Sequence, residues 1–295
     1  MLSLCGGVET GLYALQQLGI PVKEYHTYEI LPEAIAVSQY HFPFVVHHGD
    51  LYEADFDQFK GFDLLLAGTN CQSLSRCRIE DKSVNSGLDG KSKIFFKAVE
   101  ALRVIQPKYF MFENVIPSKD EDLKTMTECI SVDPILIDSG RFCAQNRQRY
   151  YWTNISLGEL PNESPLVLKD VMENNVNEKY FYKKDFGIID MNKRVCAELK
   201  VNTMEMNRRI YNPEFKCCTL TCVNGGYHIK SVMDHGKPRK LTPTEYERLQ
   251  GLPDGYTDVL VNEKKLSDTK RYSLMGNGWT EPVIEFILGG IKHEI

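Results

Sequence analysis

The stretch MLSLCGGVETGLYALQQLGIPVKEYHTY, residues 1–28, decides the fold. An apolar run over residues 1–4 predicts a strand, and a pair of glycines follows it as a turn. Leucines then recur at helical spacing until Gly19 ends the pattern. Residues 22–28 are rich in β-branched and aromatic side chains and predict a second strand. The order of strand, helix and strand is typical of a βαβ unit with two parallel strands.

The same alternation continues beyond this unit. Helical spacing predicts a helix over 32–40, and apolar runs predict strands near Val45 and Phe62. A further helix is expected from Lys93 to Ile105, followed by a strand over 109–112. Strands that alternate with helices favour a parallel sheet covered on both faces. We therefore predict an α/β fold with a mostly parallel, doubly wound sheet.

The alternation stops in the middle of the chain. From about Leu157 to Lys237 the sequence carries polar residues and scattered aromatic residues without a clear period, which predicts an inserted lobe. A helical pattern then resumes, with Thr242 as N-cap and Pro243 at the first helical position. We expect three segments: a core over residues 1–156, an inserted lobe over 157–238 and a return to the core over 239–295.

Length and composition favour a folded protein inside the cell. The chain has 295 residues, of which 42% are hydrophobic and 25% are charged, so it can bury a full core. Neither a signal peptide nor an apolar run of membrane-spanning length is evident, and we expect a soluble, cytoplasmic protein without a membrane partner. Nine irregularly spaced cysteines favour reduced thiols. We expect no metal, because the set Cys217, Cys218, Cys222 and His228 lacks a paired C-x-x-C knuckle.

Charge is distributed unevenly along the chain. The net charge is −5, yet residues 1–60 carry eight acidic and two basic residues, whereas residues 191–240 carry ten basic and four acidic residues. A binding surface depends on where charge lies more than on its total. We expect any basic face to belong to the later segment. The alternative is an ordinary solvated surface.

Two reactive side chains follow predicted strands. Cys71 comes after the apolar run over 62–68, and Glu113 lies at the end of the run that begins at Tyr109. The carboxyl ends of parallel strands meet at one edge of a sheet, so residues distant in sequence can share a substrate there. A thiol and a carboxyl group in one crevice indicate covalent catalysis on a ring.

Seven short motifs occur in an order that resembles the DNA (cytosine-5) methyltransferases. They are Gly6–Gly11, Glu29, Asp50, Cys71, Glu113-Asn114-Val115, Gln145–Arg149 and Gly276–Trp279. Two further strings, Tyr256-Thr257-Asp258 and Trp279–Ile284, are similar to the catalytic domain of the mammalian-type de novo enzymes. The resemblance covers nearly the whole chain. It implies a Rossmann-like class I S-adenosylmethionine-dependent methyltransferase of bacterial or phage origin, with a small target-recognition lobe and double-stranded DNA as partner.

The resemblance assigns roles to the reactive residues. Cys71 would add to C6 of cytosine and Glu113 would act at N3, while Arg147 and Arg149 would contact the base carbonyl and the flanking phosphates. The main-chain carbonyl of Asn70 would lie beside the base. S-adenosyl-L-methionine would be held by a set of residues at the strand ends and near the end of the chain: Leu4, Cys5, Gly6, Gly7, Val8, Thr10, Glu29, Ile30, Asp50, Leu51, Gly68, Asn277, Gly278 and Trp279.

Two segments are expected to contact DNA. The loop between Ser73 and Lys93 is long for a connection in a compact sheet, and in the family such a loop closes over DNA after the target base has been flipped out. Its candidate DNA contacts are Ser75, Arg76 and Arg78. The alternative is a solvated surface loop. Sequence reading is assigned to the inserted lobe, at Thr219, Thr221, Asn224 and Gly225.

Two positions depart from the family pattern. Asn70 stands where relatives carry proline before the catalytic cysteine, and Cys5 stands where they commonly carry phenylalanine. Three outcomes stay open: ordinary methylation at a reduced rate, transfer of a different group from another donor or acceptance of a modified pyrimidine, and a catalytically silent DNA binder. Methylation of a tRNA cytosine is a further alternative, and a NAD-dependent dehydrogenase is the least favoured. A role in restriction-modification and the formation of a homodimer also stay open.

Overall fold

The computed structural model describes residues 1–69, 88, 93–223, 226–261 and 263–294. The chain divides into two compact units. Unit 1 consists of residues 1–138, 148–159 and 284–295, and unit 2 consists of residues 139–147 and 160–283. The three segments expected from the sequence stay a prediction.

A seven-stranded sheet forms the centre of unit 1. Its strands are β1 (Leu2–Leu4), β2 (His26–Tyr28), β3 (Val46–His47), β4 (Leu64–Ala67), β5 (Tyr109–Asn114), β6 (Ile135–Asp138) and β7 (Gln148–Thr153). The helices between them are α1 (Thr10–Gln17), α2 (Pro32–His41), α3 (Ile94–Ile105) and α4 (Asp120–Ile130). The spatial order is β3-β2-β1-β4-β5-β7-β6, with β7 antiparallel to both neighbours. The predicted mostly parallel α/β sheet is confirmed.

Burial explains why the short strands hold the centre. Every side chain of β1 and β4 is buried, as parallel strands covered on both faces require. Leu4 pairs in register with Tyr28 on one side and with Ala67 on the other. The parallel strands β1, β2, β3, β4 and β5 therefore end at one edge of the sheet, here called the carboxyl edge.

Unit 2 contains a second, smaller sheet. Its strands are β8 (Phe186–Ile188), β9 (Val195–Leu199), β10 (Arg209–Tyr211), β11 (Ser231–Asp234) and β12 (Lys237–Lys240), in the order β12-β11-β10-β9-β8. Only the β10–β11 pair is parallel. The rest of the unit includes α5 (Glu205–Arg208), α6 (Pro243–Leu249), the hairpin β13 (Leu260–Val261) and β14 (Lys264–Lys265), and α7 (Asp268–Asn277). The last helix, α8 (Glu281–Gly289), begins in unit 2 and ends in unit 1.

The predicted start of α6 is confirmed in detail. The Thr242 hydroxyl accepts a hydrogen bond from Glu245 N, and the Glu245 carboxylate accepts one from Thr242 N, which completes a capping box. Glu245 also forms a bidentate ion pair with Arg239, and both side chains are fully buried. Arg239 belongs to the ten basic residues of 191–240. Because it is buried, it cannot contribute to a basic surface patch. Across the described ranges, no helix is long and apolar enough to cross a membrane.

Candidate active site

The turn after β1 opens the carboxyl edge of unit 1. Cys5 N donates to Tyr28 O at 2.8 Å, and the backbone then adopts positive φ angles at Cys5, Gly7 and Glu9. Gly6 cannot carry a side chain here. A Cβ atom at this position would lie 2.6 and 2.8 Å from the two carboxylate oxygens of Glu9 and would also collide with the Thr27 hydroxyl. The Glu9 and Thr27 side chains thus pack directly against the turn at Gly6, whereas nothing lies within 4 Å of the Cβ position of Gly7.

Glu29 fixes the turn from the end of β2. Its Oε2 accepts a hydrogen bond from Gly7 N at 2.9 Å, and its Oε1 accepts from Ile30 N and Leu31 N at 2.8 Å each. A carboxylate offers about four acceptor positions, so Oε2 retains capacity for one further donor. Glu29 is buried, whereas the neighbouring Ile30 side chain is exposed. This arrangement fits a carboxylate that both orders a turn and accepts from a ligand hydroxyl.

Other predicted cofactor residues of unit 1 contribute in different ways. Asp50, after β3, is exposed and accepts from Tyr52 N at 2.9 Å, which caps a short turn. The side chains of Leu4, Val8, Thr10 and Leu51 are buried, so each would act through its backbone or by shaping the edge. Gly68 N donates to Leu4 O at 3.1 Å and thereby extends the pairing of β1 with β4.

Glu113 and Arg149 form an ion pair at the end of β5. Arg149 Nε lies 2.9 Å from Glu113 Oε1, and only 12% and 11% of the two side chains are exposed. Arg149 Nη1 also donates to Gln148 O at 2.8 Å. The antiparallel pairing of β7 with β5 brings Arg149 to Glu113. A carboxyl group oriented in this way is suited to act on a polar ring atom of a substrate.

Asn114 connects β5 to the segment that follows β4. Its side-chain amide donates to Thr69 Oγ1 at 3.2 Å and to Thr69 O at 3.4 Å, and its Oδ1 accepts from Val115 N at 2.9 Å. Thr69 directly precedes the predicted catalytic segment. Asn70, Cys71, Ser75, Arg76 and Arg78 lie outside the described residues, as do Asn224 and Gly225 in the predicted recognition segment.

Arg147 is buried inside unit 2. Its Nη1 donates to Leu220 O at 2.8 Å, and its Nη2 donates to Gly276 O at 3.2 Å and to Gly278 O at 3.0 Å. Three main-chain carbonyls thus engage one guanidinium group. These contacts favour a structural role, and the predicted contact of Arg147 with a substrate stays a prediction.

Two glutamines extend this network. Gln145 Oε1 accepts from Leu220 N at 2.9 Å, and Gln145 Nε2 donates to Gln250 Oε1 at 3.1 Å. Gln250 Nε2 donates to Met275 O at 2.6 Å, and its Oε1 accepts from Thr280 Oγ1 at 2.8 Å. The network therefore fixes the predicted recognition segment around residues 219–221 relative to the predicted cofactor segment 277–279. The sequence pattern assigned no role to either glutamine.

The remaining predicted residues of unit 2 differ in exposure. Asn277 is exposed, Gly278 is partly exposed and Trp279 is buried. Thr219 donates from Oγ1 to Asn146 O at 2.9 Å, so its hydroxyl already has a main-chain partner, while Thr221 is partly exposed. Within the described part of the chain, no group of three or more His, Cys, Asp or Glu side chains is placed to hold a metal ion.

Glu9 is a titratable residue for which the sequence suggested no function. Its side chain is 1% exposed and accepts a short hydrogen bond from the Tyr25 hydroxyl. Burial raises the pKa of Glu9 to about 7, and the Tyr25 hydroxyl opposes part of that rise. A glutamate within a glycine-rich turn is expected to be exposed, so the pattern gave no sign of this burial.

Sheet order and site together define a class of protein. A mostly parallel sheet with an antiparallel seventh strand inserted beside β5, and a glycine turn after β1, is the fold of class I S-adenosylmethionine-dependent methyltransferases. The model of the C-5 cytosine-specific DNA methylase family matches residues 1–293. The chain belongs to that family.

Curated relatives are DNA methyltransferases of bacteria and phages. The type II methyltransferase M1.ScrFI of Lactococcus lactis subsp. cremoris is 27% identical over 263 residues, which cover 81% of this chain and 64% of that protein. M.HpaII of Haemophilus parainfluenzae is 26% identical over 265 residues, covering 76% and 70%. The orphan methyltransferase M.SPRI of Bacillus phage SPR is 27% identical over 254 residues, covering 65% and 56%. The chain thus spans less than two thirds of the length of M1.ScrFI and of M.SPRI.

Solved structures share the fold over the whole chain. The S. pombe Dnmt2 methyltransferase superimposes with a TM-score of 0.69 at 17% identity, covering 99% of this chain and 98% of that one. Entamoeba histolytica methyltransferase EhMeth gives a TM-score of 0.71 at 16% identity, covering 99% and 97%. At this level of identity the likeness concerns the fold alone.

Proposed function

We propose that this protein transfers the methyl group of S-adenosylmethionine to C5 of cytosine in DNA. The observation that carries the proposal is the arrangement at the end of β5. Arg149 holds Glu113, and the neighbouring Asn114 binds Thr69, which directly precedes Asn70 and Cys71. Two residues of chain span at most about 7 Å, so a thiol and a carboxyl group are expected at the same edge of the sheet.

The residues of the carboxyl edge fit S-adenosylmethionine. Nothing lies within 4 Å of the Cβ position of Gly7, and the remaining acceptor capacity of Glu29 suits a ribose hydroxyl. Exposed Asp50 is available to the adenine amine. Asn277 and Trp279 of unit 2 are proposed as further contacts. The cofactor supplies an electrophilic methyl group on its sulfonium sulfur when it is bound.

The proposed mechanism uses covalent addition to make C5 nucleophilic. The Cys71 thiolate forms a bond with C6, and the electron pair of the C5–C6 double bond shifts toward N3, where Glu113 donates a proton or a hydrogen bond. C5 then takes up the methyl group. Loss of the C5 proton to a base restores the double bond and breaks the bond between sulfur and C6. Arg149 fixes the orientation of Glu113 and is placed to support the base carbonyl.

Access to C6 requires that the base leave the helix. C6 is shielded by neighbouring bases in a duplex, so the target cytosine is proposed to flip into the site. We assign reading of the sequence to residues 219–225 in the proposed target-recognition lobe, 157–238. The loop with Ser75, Arg76 and Arg78 is proposed to contact the DNA backbone. Eight basic residues of 191–240, which exclude buried Lys230 and Arg239, remain to support phosphate binding.

A mechanism-based trap tests this function. Fluorine at C5 cannot leave as a cation, so duplex DNA made with 5-fluorodeoxycytidine should stop the reaction after methyl transfer and leave Cys71 bound to C6. We expect a denaturant-resistant complex whose mass equals protein, DNA and one methyl group, and only when S-adenosylmethionine is present. Cys71→Ala should form none, and Cys129→Ala, which removes a partly buried cysteine on α4, should form as much as wild type. A complex that persists in Cys71→Ala would contradict the mechanism.

A further inference from the structure

The glycine turn after β1 has a buried acid behind it. The Glu9 carboxyl group lies under Gly6, where a side chain at position 6 would otherwise be. Glu9 itself adopts φ 60°, a left-handed conformation that costs a non-glycine residue free energy. The chain therefore holds this carboxyl group beneath the turn despite strain and despite loss of hydration.

The Glu9 carboxyl group lies beside two hydroxyl groups. Oε2 accepts from the Tyr25 hydroxyl, and the Thr27 hydroxyl lies beside the carboxyl group and lowers its pKa. Both the Glu9 and the Thr27 side chains are buried. Apolar residues surround Tyr25 on its far side, among them Leu12, Phe42 and Val45. A buried acid directly beneath a turn that has open space at Gly7 indicates a group whose charge a bound cation would stabilise.

We propose that Glu9 is a buried counter-charge for the cationic methionine portion of S-adenosylmethionine, and that cofactor binding releases a proton from Glu9. This inference rests on the proposed function. The turn at Gly6 and Gly7 separates the ligand from the acid by a single layer of backbone, so Glu9 acts through charge and not by direct contact. It is a residue that would favour a cationic donor over a neutral one.

The titration of Glu9 determines whether cofactor affinity rises or falls with pH. Burial raises its pKa to about 7, and the neighbouring Glu29 carboxylate acts in the same sense, while the Tyr25 hydroxyl lowers it. Tyr25 and Glu29 are the titratable groups that face Glu9. A bound cation favours the ionised acid and lowers its pKa, so cofactor affinity is highest above pH 7 and falls as the pH drops through that value.

Calorimetric titration with S-adenosylmethionine tests the inference. At pH 6.5, in buffers of different ionisation enthalpy, we expect wild type to release about 0.7 proton for each cofactor bound, and Glu9→Gln to release almost none. Between pH 7.5 and pH 6 the Kd of wild type should rise roughly sevenfold, whereas that of Glu9→Gln should stay nearly constant. Glu128→Gln, which changes an exposed acid on α4, should behave as wild type.

A second variant, Tyr25→Phe, tests the inference independently if Glu9→Gln does not fold. Tyr25→Phe removes the hydroxyl that stabilises ionised Glu9, so the fall in affinity should move to higher pH. Equal proton release by wild type and Glu9→Gln, or a Tyr25→Phe profile that does not move, would overturn the inference while leaving the proposed function intact. Failure of wild type to bind S-adenosylmethionine at pH 7.5 would overturn both.

Discussion

At the scale of single residues, unit 1 contains two enclosed carboxyl groups in different surroundings. Glu113 lies at the end of β5 and is held by Arg149, with about a tenth of each side chain exposed. Glu9 lies beneath the turn after β1 and is fully enclosed. We propose that the first acts on a base and that the second influences the charge of the proposed cofactor site.

Glu113→Gln is expected to lower the rate of methyl transfer at least about 100-fold, because the amide cannot donate the proton of a carboxylic acid to N3. The Kd for S-adenosylmethionine should change by less than about twofold, since Glu113 lies outside the proposed cofactor contacts. Single-turnover kinetics and calorimetry measure the two quantities. Glu128→Gln serves as the matched control. A defect mainly in cofactor affinity would reassign Glu113.

Gly6→Ala tests the close packing behind the turn. The new methyl group would meet the Glu9 carboxylate and the Thr27 hydroxyl, so we expect a loss of stability of about 1–3 kcal/mol and weaker cofactor binding. Gly158→Ala is the control, because nothing lies within 4 Å of its Cβ position, and it should change stability by less than about 0.5 kcal/mol. Thermal unfolding that is equal for both variants would argue against the described turn.

At the scale of secondary-structure elements, Arg147 connects segments that are far apart in sequence. Its guanidinium group binds carbonyls of residue 220 and of the segment that ends α7. Gly276 in that segment has no room for a side chain, because a Cβ atom would collide with the backbone of Thr221 and Cys222. The proposed recognition segment and the proposed cofactor segment are thus packed together within unit 2.

Arg147→Met should therefore act mainly on stability. It removes the donor to the buried carbonyls of Leu220 and Gly276, whereas the Gly278 carbonyl still accepts from Gln250 Nε2. We expect a loss of about 2–4 kcal/mol, seen as a fall in the melting temperature of at least about 4 °C. Arg103→Met, which alters an exposed arginine at the end of α3, should change the melting temperature by less than about 1 °C. A normal melting temperature with lost activity would instead support the substrate contact that the sequence predicts for Arg147.

The elements of unit 1 were predictable because their signals are local. Alternation and stop residues predict α1, α3 and β5 close to their observed bounds, and the capping box predicts the start of α6. Strands β8 to β12 were missed, because short strands with mixed polar and apolar residues have no detectable period. The residues of the candidate site show the same contrast between local and distant sequence signals. Motif order drew attention to Glu29 and Glu113, whereas the burial of Glu9 and the contacts of Gln145 and Gln250 depend on residues far away in sequence.

At the scale of the whole molecule, both units carry proposed functional residues. Unit 1 supplies the turn at Gly6, Glu29 and the pair of Glu113 with Arg149, and unit 2 supplies Trp279 and the proposed recognition segment. Activity is therefore expected to require the intact chain. The model of the C-5 cytosine-specific DNA methylase family matches residues 1–293, and these residues come from both units.

The most direct test of the central claim is mass spectrometry of nucleosides after reaction. The protein is incubated with S-adenosylmethionine deuterated in its methyl group, together with mixed-sequence duplex DNA or, separately, bulk tRNA. We predict 5-methyldeoxycytidine that carries the three deuterium atoms, from DNA only, and none with Cys71→Ala. No labelled deoxycytidine, or label found only in cytidine from tRNA, would contradict the proposal that this chain methylates cytosine in DNA.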